Sequence, residues 1–289
     1  MRFCRDLAIY NADSNIDSNI EMQGGDMILS KYCASGNDFL IFHAFEGADR
    51  SGLATKLCNR FYGVGADGLV VLLPYTSKQE DAKKISYQWE FYNSDGSIAN
   101  MCGNASRAVS LYAYHNKIAT LKHNFLSKSG VIQTHIQEIV SEKEAFVQSN
   151  LGGFSVEGNY IESRKDNVYD FELIIVGIPH LVCKLNSARD FNILANDLEF
   201  LSFLRHKYNA NVSIAFQNGD MIQYATFERG VEGITQACGT GACAVYAAYK
   251  DFDKTYTLIP PSNEKLKVSY KDNEIYFLGL VSKVCECVV

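Results

Sequence analysis

From Met27 onward, apolar and polar positions follow two periods, and the switches between them outline the fold. MILSKY, starting at Met27, predicts a first strand, GNDFLIFHAF from Gly36 a loop running into a second, and TKLCNRF from Thr55 a short helix. DGLVVLLPY from Asp67 is an almost continuous apolar run bounded by Gly and Pro, the pattern of a strand buried on both faces. SYQWEFYN alternates and stops at the turn sequence NSDGS, after which Ala108, Leu111 and Tyr112 set a helix over about Asn104 to Asn116. Strands resume in VIQTHIQEI, EAFVQSNL and FELIIVGIPHLV. NDLEFLSFLRHKY predicts a helix with Leu198, Leu201 and Leu204 on its apolar side. NVSIAFQ and MIQYATFER lead to a helix over about Thr240 to Lys250, and the tail from Lys265 is a strand meander turning at KDNE. Residues 1–26 are rich in Asn, Asp and Ser and lack periodicity, so they read as an extension ahead of the fold.

Two segments share an order of elements: aromatic strand, polar loop, Cys-Gly, small-residue helix. The offset that carries Cys102-Gly103 onto Cys238-Gly239 also carries Ala108-Val109 onto Ala244-Val245. Two halves of similar build, facing each other across a cleft, are the expected result.

Composition narrows the partners. The 289 residues are 47% hydrophobic, and 27 Lys and Arg stand against 33 Asp and Glu, for a formal net charge of −6 without a long basic run. A nucleic-acid or anionic-membrane surface is not indicated, and a small-molecule partner is. No stretch has the apolar length of a signal peptide core or a spanning helix, and nine scattered cysteines in a chain this long read as free thiols, so the expectation is a cytoplasmic protein in a reducing compartment. Cys4, Cys33, Cys58 and Cys183 stand alone and the only C-x-C joins Cys285 with Cys287, which gives zinc no paired ligands; no metal is expected.

The chemistry concentrates at the two Cys-Gly steps. The first turn of a helix offers unpaired N–H groups and the positive end of the dipole, a natural seat for a carboxylate. Gly103 and Gly239 permit close backbone approach, and Asn104 and Thr240 can cap or bond a ligand. The same field favours thiolate. Two facing steps would put a thiol on either side of one carbon, which suits inversion of a stereocentre: a base on one face, an acid on the other, with no cofactor required. A lone buried cysteine is most often a small core residue, and that reading is kept for Cys33, Cys58, Cys183, Cys243, Cys285 and Cys287. A phosphate loop is the other alternative, although neither turn has its spacing or its Lys. Spacing alone leaves core packing and paired acid/base chemistry both open.

Seven motifs then resemble one family in order: GNDF at Gly36, GVGADG at Gly63, FYNSDGS at Phe91, MCGNASR at Met101, GIPHLV at Gly177, NVSIAF at Asn211, and FERG followed by QACGTGA at Gln236. The chain from Met27 on resembles the diaminopimelate epimerases, which interconvert LL- and meso-diaminopimelate without pyridoxal phosphate in lysine and peptidoglycan precursor synthesis. The resemblance implies an α/β (α+β) fold of two similar, pseudo-twofold domains, each a mixed sheet or barrel around a central helix: residues 27–142 with 281–289, and 143–280. It implies that Cys102 and Cys238 are the acid/base pair, that Gly103-Asn104 and Gly239-Thr240 cradle the α-carboxylate, and that Asn37, Asn93 and Asn211 hold ammonium and carboxylate groups. Arg229 would meet the distal carboxylate, and Glu228 and His180 would stand near the thiols. A homodimer is implied as well. His180 could equally be a satisfied core histidine, and Glu228-Arg229 a surface pair.

The sequence departs from the family at two positions. Gly68 stands where a Gln that contacts substrate is common, and Ile178 where an Asn is usual. A racemase similar to proline racemase, which also pairs cysteines, is a second reading; Asn37, the NSDGS turn and Arg229 suit a longer, doubly charged substrate instead. A ligand-binding module without catalysis is a third, and retention of both cysteines speaks against it.

Overall fold

The computed structural model describes residues 26–76 and 85–289, so the expected N-terminal extension, apart from Asp26, lies outside the described residues. Seven strands of the first half are β1 (Ile28–Ala34), β2 (Asn37–His43), β3 (Gly68–Leu73), β4 (Ile85–Asn93), β5 (Lys122–Ser127), β6 (Gly130–Ile139) and β7 (Glu144–Asn150). With β16 (Glu274–Val288) they close into a ring, because β16 pairs with β7 on one side and β1 on the other. The second half is an open sheet in the order β16, β15 (Leu266–Lys271), β14 (Tyr256–Ile259), β12 (Met221–Glu228), β11 (Asn211–Asn218), β10 (Ile178–Leu185), β9 (Asn167–Val176), β8 (Ser155–Arg164). The two-residue β13 (Gly233–Ile234) pairs with β12.

The halves repeat one pairing scheme. Parallel pairs β2·β3 and β4·β5 in the first half match β10·β11 and β12·β14 in the second. Parallel neighbours require a crossover, and each is helical: α1 (Ser51–Cys58) and α2 (Gly103–His115) in the first half, α3 (Ala188–Ala195) with α4 (Leu198–Tyr208) and then α5 (Gly239–Tyr249) in the second.

Burial explains which helix goes inside. α2 carries Ala105, Ala108, Val109, Leu111 and Tyr112 into the ring, against Tyr87, Trp89, Phe91 and Phe125. Trp89 and Phe125 pack with ring centroids 4.8 Å apart, and truncating such a ring to Ala costs about 3–5 kcal/mol. α5 is apolar almost all round and is buried accordingly by the second sheet, with Tyr224, Leu258 and Phe277 around it. α1 covers Leu69 and Val71 outside the ring, while α3 and α4 cover Val212 and Ile214 on the outer face of the second sheet. β3 is therefore buried on both faces, as its continuous apolar run predicts.

Several expectations are corrected. The short helix begins at Ser51, earlier than TKLCNRF suggests, and FELIIVGIPHLV breaks at Gly177 (φ 69°) into β9 and β10. β5, β8, β14 and α3 have no counterpart in the pattern-based reading. Leu198 is exposed and Phe200 takes its place in the core beside Leu201 and Leu204. Cys285 is exposed rather than a core residue, because β16 there covers only β1. Strand pairing keeps Glu144–Asn150 in the first ring, so a division at 142/143 falls one strand early relative to the sheets.

Candidate active site

Both central helices start at a Cys-Gly step. Cys102 (φ −147°, ψ 127°) and Cys238 (φ −114°, ψ 114°) are extended N-cap residues, and Gly103 and Gly239 are the first helical residues. The two glycines meet: a β-carbon on Gly103 would lie 3.7 Å from the Gly239 Cα, and one on Gly239 would lie 3.5 Å from the Gly103 Cα. Two positive helix ends thus converge on one spot with a thiol at each, an arrangement that favours an anion between them.

The first-half wall is built from the β1–β2 hairpin. Ser35 (φ 59°) and Gly36 (φ 77°) form its two-residue turn, and both left-handed conformations match a type I′ turn. The turn leans on the other half, where a β-carbon on Gly36 would meet the Gln236 Cβ at 3.0 Å. Asn37 follows directly. Its Nδ2 donates to Asp67 Oδ2 at 2.5 Å, which turns Oδ1 toward Cys102, whose Sγ donates to it at 3.8 Å. Asp67 is in turn held by Arg60, which also pairs with Asp38. Asn104 reaches across the interface, its Nδ2 donating to the Ala237 carbonyl at 3.1 Å.

The second-half wall is more enclosed. Cys238 Sγ accepts from the Gly241 N–H at 3.4 Å and lies 3.5 Å from Thr240 Oγ1. His180, fully buried, sits between Thr240 Oγ1 (Nε2, 3.0 Å) and Ser213 Oγ (Nδ1, 3.1 Å), and Ser213 continues to Thr226 at 3.0 Å. His180 is a satisfied histidine and also one bond removed from the Cys238 turn. Burial depresses its pKa to about 3, so it is neutral. Glu228 accepts from Thr235 Oγ1 and from the Cys238 thiol, and burial raises its pKa.

Burial pushes the Cys102 thiol up to about 11, opposed by the N–H groups of Ala105 and Asn104 and raised further by Glu228. Burial likewise raises the Cys238 thiol well above its ordinary value, with Glu228 again opposing the thiolate, while Thr240 and Gly241 oppose the rise. Both cysteines hold their protons in the unliganded cleft.

Asn211 and Arg229 are neighbours: the Arg229 N–H donates to Asn211 Oδ1 at 2.9 Å, which leaves the Asn211 NH2 as its donor, and Asn211 pairs with His180 across β10 and β11. The Arg229 guanidinium is exposed and bonds to Asn209. Asn93, exposed, donates to Ser97 Oγ at 2.9 Å inside the NSDGS turn. Among the described residues, neither the Asn93 nor the Arg229 side chain bonds to a thiol turn, whereas Asn37, Asn104, Thr240, Glu228 and His180 are joined to one directly or through one group.

The two departures differ in kind. A β-carbon at Gly68 would stand 2.8 Å from both Phe91 Cε2 and the Tyr92 carbonyl oxygen, so the aromatic ring occupies the room a longer side chain would need. Ile178 is 38% exposed at the start of β10, where an Asn would fit without displacing anything buried. Sequence reasoning missed Asp67, Gly241, Ser213, Thr226 and Arg107, whose contacts orient the residues above. Among the described residues no cluster of three His, Cys, Asp or Glu side chains could hold a metal ion, and no helix is long and apolar enough to cross a membrane.

A family model described as diaminopimelate epimerase matches residues 29–155 and 173–284. Proteins named diaminopimelate epimerase from Helicobacter pylori and from a Nitratiruptor species are 44% and 40% identical to the chain, covering 88% and 90% of it and 94% and 97% of their own lengths. Among solved structures, a PhzF-family phenazine biosynthesis protein of Bacillus anthracis superposes with a TM-score of 0.69 at 13% identity, covering 92% of this chain and 99% of its own. A probable proline racemase of Agrobacterium radiobacter gives 0.68 at 12%, covering 91% and 92%. These two share the fold, whereas the identities to the first group and the span of the family match go further: the chain is an isomerase that belongs to the diaminopimelate epimerase family.

Proposed function

We propose that this protein epimerises LL-diaminopimelate to the meso isomer by proton transfer between two thiols. The observation that carries this reading is the convergence of two Cys-capped helix starts at Gly103 and Gly239. The substrate α-carboxylate sits against the N–H groups of Gly103-Asn104 and Gly239-Thr240, which stabilise the charge that grows on it as the α-carbon loses its proton. One cysteine, as thiolate, takes that proton. The other, as thiol, delivers its own to the opposite face, so that the two have exchanged protonation states when product forms.

Burial and Glu228 disfavour thiolate in the empty cleft. The α-ammonium of an arriving amino acid supplies the missing positive charge and makes deprotonation feasible only once substrate is bound. Asn37, Asn93 and Asn211 are the neutral amides for the ammonium and carboxylate groups, and Arg229, free to swing from Asn209, is the partner of the distal carboxylate. With Gly68 filled by Phe91, the distal end relies on fewer polar contacts from the first half. The protein is further proposed to act as a cytoplasmic homodimer with reduced thiols, and light scattering of the purified chain tests the dimer.

The decisive experiment is proton NMR of LL-diaminopimelate in D₂O with reduced protein and no added pyridoxal phosphate, alongside Cys102→Ser and Cys238→Ser. Loss of the α-proton signal with appearance of the meso isomer, slowed at least about 1,000-fold in both variants, is the expected result. Absence of exchange with fully reduced wild type would refute the substrate assignment.

A further inference from the structure

Arg107, in the second turn of α2, is fully buried, yet among the described residues no carboxylate lies within ion-pairing distance of it. An isolated buried charge is costly unless its donors are satisfied by something the fold needs. Its partners are informative because each belongs to a segment that crosses between the halves. Nη2 donates to Ser35 Oγ at 2.6 Å, in the hairpin turn that rests on Gln236. Nη2 also donates to Asn104 Oδ1 at 2.8 Å, which fixes that amide so that its Nδ2 must face the Ala237 carbonyl next to Cys238. Nη1 reaches the Leu280 carbonyl at 3.4 Å in β16, the strand common to both sheets. The guanidinium lies 4.4 Å from the centre of the Phe277 ring, and a β-carbon on Gly239 would lie 3.0 Å from the same ring. Nε has no hydrogen-bond partner among the described residues. Room for the group comes from Gly279, where a β-carbon would stand 2.2 Å from Nη1.

We infer that Arg107 is a positioning residue for the reaction proposed above: it clamps the hairpin turn, Asn104 and the shared strand so that the Cys102 and Cys238 turns stand at one fixed spacing across the substrate carbon. Its fork of donors matters as much as its charge, since the three donors of a Lys sit on one nitrogen and lack the planar spread that reaches acceptors on separate segments. Near it are Glu264, which accepts from the Leu280 N–H at 2.9 Å, and the thiols of Cys102 and Cys33 with the Tyr224 phenol, none of which reaches it directly.

The test compares Arg107→Met, Arg107→Lys and wild type in epimerisation and, independently of substrate, in the rate at which limiting oxidant joins Cys102 to Cys238 as a disulfide, read by mass spectrometry. Arg107→Met is expected to lose about 100-fold in kcat, the effect of misplacing reacting groups by about an ångström. KM stays within about threefold because no substrate contact is removed. Arg107→Lys recovers part of kcat. The Cys102–Cys238 oxidation rate changes by at least about fivefold in Arg107→Met, as disulfide geometry is strict. A folded Arg107→Met protein with wild-type kcat and wild-type oxidation rate overturns the inference, as does a loss of activity that tracks only the folded fraction in thermal melts. If wild type proves inactive on diaminopimelate, the proposed function falls, and the oxidation rates still decide whether Arg107 sets the spacing.

Discussion

The starts of α2 and α5 are built to one plan and finished differently. In the first, Cys102 is partly exposed and donates to the neutral amide oxygen of Asn37; in the second, Cys238 is buried and donates to the Glu228 carboxylate, with Thr240 beside it. A pair of chemically identical thiols therefore enters the reaction unequal. Duplication of a helix start gives two faces of attack, and the local neighbours decide how each thiol responds before substrate arrives.

The sharpest way to break the comparison is to swap a first-turn position where one helix carries a β-carbon and the other none. Gly241 corresponds to Ala105, and a β-carbon at 241 would lie 2.4 Å from Thr226 Oγ1 and 3.3 Å from Cys238 Sγ. Gly241→Ala is expected to lower kcat by about two orders of magnitude, measured by the NMR exchange assay. The reciprocal Ala105→Gly costs only about 1 kcal/mol of stability and keeps most activity.

Thiol reactivity sharpens the same contrast with a smaller effect. Iodoacetamide attacks thiolate, so labelling of the unliganded protein should rise about tenfold per pH unit below the Cys102 value of about 11. Peptide mapping should find Cys102 modified at least about tenfold faster than Cys238, which is more buried and has the Glu228 carboxylate against its sulfur. Equal rates would remove the asymmetry.

His180 gives the second half an acid sensitivity of its own, beside that of His43, His115 and His123 in the first half, whose pKa values burial also lowers. Its pKa falls from 6.5 unfolded to about 3 folded, so between those values the unfolded chain binds the extra proton and stability is lost as pH drops. The slope from this residue is at most about 1.4 kcal/mol per pH unit. His180→Gln should flatten it in urea titrations from pH 7 to 4, while variants of the first-half turn leave it in place. The smallest expected effect separates the two departures: Ile178→Asn should shift stability by no more than about 0.5 kcal/mol, and Gly68→Gln, which must displace Phe91, should cost about 1–3 kcal/mol, both read as thermal melts.

Much of this was legible because burial wrote a clear period. β3 shows as an unbroken apolar run and α2 and α5 as small-residue helices behind Cys-Gly. β5 was not legible, since its inward positions include His123, buried in a hydroxyl network with Ser110 and Thr134, and a pattern of apolar residues passes over it. β8, an edge strand, exposes Val156 and Ile161 and so lacks the expected alternation, and α3 is only eight residues long. At the site, cysteines and glycines announced themselves by motif. Arg107 did not: in α2 the polar Asn104, Ser106 and Ser110 are buried beside it, so nothing in the pattern marks a charge that faces inward. A cation inside a run of small residues just after Cys-Gly-Asn was the one available signal.

The strand common to both sheets also orders events in the life of the chain. Of the strands in the first ring, β1 is made first and its partner β16 last, with Ile28 pairing to Val288. The amino-terminal half cannot close its barrel until β16 has been made, and must wait with an open edge while the whole second half is synthesised. Protein made without β16 is expected to be cleared as an unfinished chain, even though both cysteines and every motif around them have already been made.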